Sequence, residues 1–93
     1  MRYSDDLIEE VRMRNDIVDV ISSYVKLQRK GSSYFGLCPF HNEKSPSFSV
    51  SPSKQIYYCF GCGAGGNVFR FLMEYENYTF VEALEVLAQR AGI

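Results

Sequence analysis

Cys38 and His41 have two residues between them, Cys59 and Cys62 likewise, and seventeen residues separate the two pairs. A tight turn with two intervening residues aims both flanking side chains at one point. For two such turns to share that point, the chain between them must fold back on itself, so the pattern asks for a hairpin. Three thiolates and one imidazole suit a tetrahedral zinc ion, with Zn–S near ~2.3 Å and Zn–N near ~2.0 Å. Soft sulfur ligation argues against calcium or magnesium. No carboxylate or water position stands beside the four, so the expected site is closed and structural, and no catalytic residue is assigned. The competing readings are an unmetallated core, a reactive thiol pair and iron–sulfur chemistry.

The chain has 93 residues, enough for one domain. A ribbon this small buries limited apolar area against a conformational cost of ~1.5 kcal/mol per ordered residue, whereas structural zinc supplies ~10–16 kcal/mol. The ribbon is therefore expected to need its metal. Three cysteines are an odd count for a disulfide framework, which points to a reducing compartment. The N-terminus turns acidic at Asp5 and Asp6 without an apolar leader, and no run of about 18 apolar residues exists to cross a bilayer. The expected location is cytoplasmic, with no membrane contact.

Hydrophobic spacing divides the chain into three zones. In residues 1–25, Ser4 and Asn15 are candidate caps for two short helices carrying Leu7, Ile8 and Val11, then Ile17, Val18, Ile21 and Val25. From 26 to 65 come short β-rich runs broken by turns: VKLQRK, YFGLC, SFSVS and IYYCF. In residues 66–93, Asn67 opens a helix carrying Val68, Leu72 and Tyr75. Thr79 and Glu82 form a capping box for a last helix with Phe80, Leu84, Leu87 and Ala91 aligned. The expected fold class is α+β: a small zinc ribbon with an antiparallel β-sheet, flanked by N- and C-terminal helices.

Charge is unevenly placed. Residues 26–58 carry Lys26, Arg29, Lys30, Lys44 and Lys54 against Glu43 alone, a net +4, while the remainder sums to −5. A basic centre suggests an anionic partner, the plain alternative being a solvated surface. The same segment is interleaved with Tyr34, Phe35, Phe48, Tyr57, Tyr58 and Phe60. Aromatics on a small basic sheet are the ingredients of a single-strand platform, although many such rings serve as core. Alternation sends Tyr57 and Tyr58 to opposite faces. Lys30, Tyr34, Lys44, Phe48, Lys54 and Tyr58 are the expected DNA contacts, because they lie on predicted strands or turns of the basic segment.

The stretch Gly61-Cys62-Gly63-Ala64-Gly65-Gly66 also matches a dinucleotide-binding fingerprint. Cys62 is already committed to the metal set, however, and no second parallel strand follows to complete a βαβ unit.

The stretch GLCPFHNEKSPSFSVSPSKQIYYCFGCGAGGNVFRFLMEYE, with its pair of motifs CPFHxEKxPSF and YxCFGCGxGG, resembles the N-terminal zinc-binding domain of bacterial DNA primases. The likeness extends to RNDIVDVISSYVKLQRKGSSYFGL before it and TFVEALEVLAQRAGI after it. The resemblance implies that Cys38, His41, Cys59 and Cys62 hold one zinc ion and that the sheet engages single-stranded template DNA, helping to select where RNA primers start. It implies further that this chain is a fragment. Primer synthesis would reside in a separate catalytic core using Mg2+, acting in cis or in trans, and a further domain would contact the replicative helicase. The isolated domain would not be an enzyme. The alternative reading is a zinc-stabilised protein-docking module contacting replication proteins.

Overall fold

The computed structural model describes residues 4–41 and 44–93, so Asn42 and Glu43 of the first motif lie outside the description. The helices are α1 (Asp5–Met13), α2 (Ile17–Ser22), α3 (Val68–Tyr75) and α4 (Phe80–Arg90). Three of the predicted caps are in place. The Ser4 side chain accepts from Leu7 N, that of Asn67 accepts from Arg70 N, and Thr79 with Glu82 forms a reciprocal capping box.

Asn15 does not cap α2. Asp16 does, its carboxylate accepting from Val18 N and Asp19 N. Asn15 is buried instead, and its amide nitrogen donates to Val11 O at 2.8 Å and Leu87 O at 2.9 Å. A carboxamide has donors for both carbonyls, whereas the neighbouring aspartate is better at the exposed helix start, where the peptide dipoles favour an anion. The pair thus divides the work: Asp16 starts a helix, and Asn15 ties the α1–α2 corner to α4.

Between the helices runs one antiparallel sheet in sequence order: β1 (Gln28–Lys30), β2 (Ser33–Gly36), β3 (Phe48–Ser51), β4 (Ile56–Cys59) and β5 (Gly65–Gly66). The last strand comes from the glycine cluster and pairs with β4 through Tyr57↔Gly66 and Tyr58↔Gly65. Its antiparallel pairing rules out the βαβ geometry of the fingerprint lookalike. A Cβ at Gly65 would stand 3.0 Å from both Tyr57 O and Tyr58 Cδ1, so glycine suits the strand where it passes close to β4 and that ring.

Register fixes the two faces. The rows Gly36–Phe48–Cys59 and Tyr34–Val50–Tyr57 point toward the helices, while Phe35–Ser49–Tyr58 and Ser33–Ser51–Ile56 point away. On the helix side, Phe48, Tyr57 and Phe71 meet with ring centroids 5.5–6.2 Å apart, and Phe40 of the first metal-binding turn packs 5.7 Å from Phe71. On the other face Ile56 and Tyr58 are 42 % and 44 % exposed. Gln55 joins the β3–β4 turn to the helical layer: its side chain accepts from Ile17 N and donates to Asp16 Oδ1, both at 2.9 Å. No helix among the described residues is long and apolar enough to cross a membrane.

Candidate metal centre and nucleic-acid interface

The metal set is assembled by the sheet. Cys59 is the last residue of β4 and Cys38 follows β2 by two positions, so the strands deliver both turns to the same end of the ribbon. The second turn is closed by Gly63 N donating to Cys59 O at 2.8 Å, with Gly63 at φ +80°, a left-handed conformation that suits glycine. The first turn is anchored by Phe40, whose ring joins the aromatic core and whose N–H approaches Cys38 Sγ at 3.4 Å.

The ligand atoms of Cys38, His41, Cys59 and Cys62 all lie within 4.8 Å of one another. Cys38 and Cys59 are buried, His41 is half-buried and Cys62 is exposed. Cys38 Sγ and Cys62 Sγ are 3.8 Å apart, and Cys59 Sγ is 4.0 Å from His41 Nδ1. A tetrahedron with metal–sulfur bonds of about 2.3 Å has sulfur–sulfur edges of about 3.8 Å, so the first separation is the one zinc requires.

The electrostatics make the same case. Burial pushes the Cys38 thiol up to about 12, partly offset by the Phe40 N–H. At Cys59 burial acts in the same direction, but N–H groups of Cys62 and Gly61 and the Ser47 hydroxyl outweigh it and bring the thiol down to about 6. Thiolates brought this close repel one another. A divalent cation at their centre makes the thiolate form favourable for each, and the N–H groups already aimed at sulfur stabilise the charge that remains.

The expected DNA contacts separate by face. Tyr58 lies on the open side at 44 % exposure, beside Phe60 at 71 %, with ring centroids 5.0 Å apart. Lys30 and Lys54 are exposed, on the β1 edge and in the β3–β4 turn, and Lys44 is exposed beside the first metal-binding turn. Phe48 is a correction. It is fully buried between Tyr57 and Phe71 and has no surface on which a base could stack. Tyr34 is also displaced from its expected role, since it shares the helix-facing row with Val50 and packs against the core. Phe35, the next residue, occupies the open face in its place. Phe35 and Phe60 were visible as aromatics, but only the register assigns them their side.

A hollow of about 460 Å³ runs over β3 and β4 on this open side, lined by Ser33, Ser49, Ser51, Lys54, Tyr58 and Phe60 among others. The five strands carry no acidic residue. Hydroxyl donors, a lysine and two accessible rings beside strands that carry no carboxylate suit an anionic, aromatic polymer.

An antiparallel ribbon whose two turns bring three cysteines and a histidine to one point defines the class as a zinc ribbon. The sequence matches the CHC2 zinc finger family over residues 3–93, and the chain belongs to that family. It is 62% identical over 92 residues to a DNA primase of Geobacillus stearothermophilus and 60% identical over 92 residues to one of Halalkalibacterium halodurans. In both cases 99% of this chain is covered and 15% of the relative, so the chain spans a small part of the relatives it matches. Among solved structures, the Aquifex aeolicus primase, comprising zinc-binding and RNA polymerase domains, superposes with a TM-score of 0.88 at 52% identity. The match covers 92% of this chain and 21% of that one. The chain is thus a primase-type zinc-binding domain, and its donor set and family both support a zinc ion.

Proposed function

We propose that this domain is the template-recognition module of a bacterial DNA primase. Unpaired template bases stack on Tyr58 and Phe60, with Phe35 on the same face, and Lys30, Lys44 and Lys54 follow the phosphates. Zinc, held by Cys38, His41, Cys59 and Cys62, supplies rigidity and takes no chemical step. By fixing the template on a rigid sheet, the module helps to select where primer synthesis starts and offers the strand to a Mg2+-dependent core in the same or a neighbouring polypeptide. Contact with the replicative helicase belongs to a further domain, and the whole works in the cytoplasm.

The observation that carries this reading is the exposure of Tyr58 and Phe60 on a ribbon whose strands carry no acidic residue. Single-strand affinity of the zinc-loaded domain, followed by fluorescence anisotropy across a salt series, tests it. Tyr58→Ala should cost ~1–3 kcal/mol in binding. Lys54→Ala should reduce the magnitude of the salt slope by about 0.7. Neither change should alter folding. Binding that is indifferent to salt and to both substitutions would favour the docking role. That role would draw on another surface, the groove of about 340 Å³ between α1 and α4 lined by Leu7, Val11, Leu84 and Ala88.

A further inference from the structure

A second hollow lies nearer the metal centre, apart from the serine-lined one, and is lined by Cys38 of the metal set and by Tyr24, which packs on Phe71, as well as by residues of the open face. It measures about 550 Å³ and lies between residues 24–28 and the end of β2, with Lys26, Gln28, Phe35, Leu37 and Pro46 among its walls. Two of its walls, Gly36 and Lys26, pass so closely that a Cβ on Gly36 would stand 2.5 Å from Lys26 O. Leu37 is 51 % exposed and outside the core cluster, an apolar side chain spent on surface. The hollow adjoins a smaller one of about 260 Å³ lined by Gln28, Lys30, Phe35 and Pro46. Through Phe35 it continues into the cross-strand row Phe35–Ser49–Tyr58, two strand spacings or roughly 10 Å wide.

We infer that this hollow receives a single nucleobase turned out of the bound strand, which makes it a specificity pocket distinct from the stacking platform. The inference rests on the reading that the open face takes single-stranded DNA. The volume falls in the range of small-ligand sites, which pair apolar walls with a few polar groups. Phe35, Leu37 and Pro46 offer flat apolar surface to a ring, and the Gln28 carboxamide has both a donor and an acceptor for a base edge. Lys26 is exposed on this hollow and Lys30 on the smaller one beside it, where the phosphates flanking an inserted base would run. An apolar peptide segment would have no use for cations there, whereas a nucleotide uses both halves of the site.

The test employs the zinc-loaded chain and single-stranded octanucleotides in which one abasic residue is walked along the strand. Positions whose bases stack on Tyr58 and Phe60 should weaken binding when abasic, and one further position, whose base enters the hollow, should weaken it about tenfold, the scale of one stacked base. In Leu37→Ala that penalty should shrink to under about threefold while the salt slope holds, because the phosphate contacts are untouched. Leu37 methyl resonances of the unaltered protein should shift with the intact strand and stay in place with the strand abasic at that position, a readout independent of any variant. An abasic profile that is the same in Leu37→Ala as in the unaltered protein, with a normal salt slope, would overturn the pocket and leave the open face standing. Absence of salt-dependent binding by the unaltered protein would overturn both.

Discussion

Tyr57→Phe removes one oxygen from the centre of the molecule. The Tyr57 ring is 1 % exposed, packs 5.6 Å from Phe48 and 5.5 Å from Phe71, and would keep those contacts as phenylalanine. Its hydroxyl oxygen is buried with no hydrogen-bond partner among the described residues. An unpaired buried hydroxyl costs ~1–3 kcal/mol, so its removal should stabilise the domain by about 1 kcal/mol, or raise Tm by about 4–8 °C for a chain of this size. The effect should grow with pH. Burial, and secondarily the charge of Glu74, raises the Tyr57 pKa above its ordinary value near 10. The folded state therefore holds the phenolic proton more tightly than the unfolded chain does. That contribution to stability is fully present below pH ~10 and is lost as pH climbs toward the folded-state pKa. Thermal melts of the zinc-loaded protein, read by circular dichroism at pH 7 and pH 10.5, should show the unaltered chain losing more stability between the two than Tyr57→Phe does. Tyr24, whose pKa is also raised by burial and by Glu76, accounts for alkaline loss that persists in the variant. A lower Tm for Tyr57→Phe at pH 7 would refute the reasoning, because it would mean that the hydroxyl is satisfied.

Asn15→Asp keeps the shape of the α1–α2 corner but sets a carboxylate against two carbonyls at a 3 % exposed position. It should cost about 3 kcal/mol in denaturant unfolding at pH 7, and a loss below about 0.5 kcal/mol would contradict the role of the two amide bonds. Phe48→Ala should cost ~3–5 kcal/mol of stability, the mark of a core residue; a variant that keeps its Tm but loses DNA would restore Phe48 to the contact surface. Chelation of zinc, or Cys59→Ser, should abolish the near-ultraviolet signal of the aromatic cluster while far-ultraviolet helix content largely persists. An intact near-ultraviolet spectrum in metal-free protein would show that the ribbon needs no staple.

The metal set was legible because tetrahedral ligation dictates both residue types and spacing, and nothing in the packing can move it. The caps at Ser4, Asn67 and Thr79 were legible for a related reason: a cap is closed within three residues of its own chain. Asn15 was misread because its decisive acceptor, Leu87 O, lies 72 residues away. The faces of the sheet were harder. Tyr34 and Phe35 are adjacent aromatics, and only the pairing of Tyr34 with Val50 shows which one turns inward. Phe48 alternates with Val50 against Ser49 and Ser51, a pattern that already favoured burial over contact. Strand β5 could not be foreseen from residues with so little strand preference, since Gly65 and Gly66 pair because β4 offers them an edge. Gln55 was passed over as a turn residue, although its side chain links the hairpin to α2.

Amide and aromatic chemical-shift mapping of the zinc-loaded domain with a short single strand tests the account most directly. The largest shifts should trace the open side, at Phe35, Ser49, Lys54, Tyr58 and Phe60, with the outer surfaces of α1 and α4 silent. Shifts confined to those two helices, with the sheet face unmoved, would contradict it.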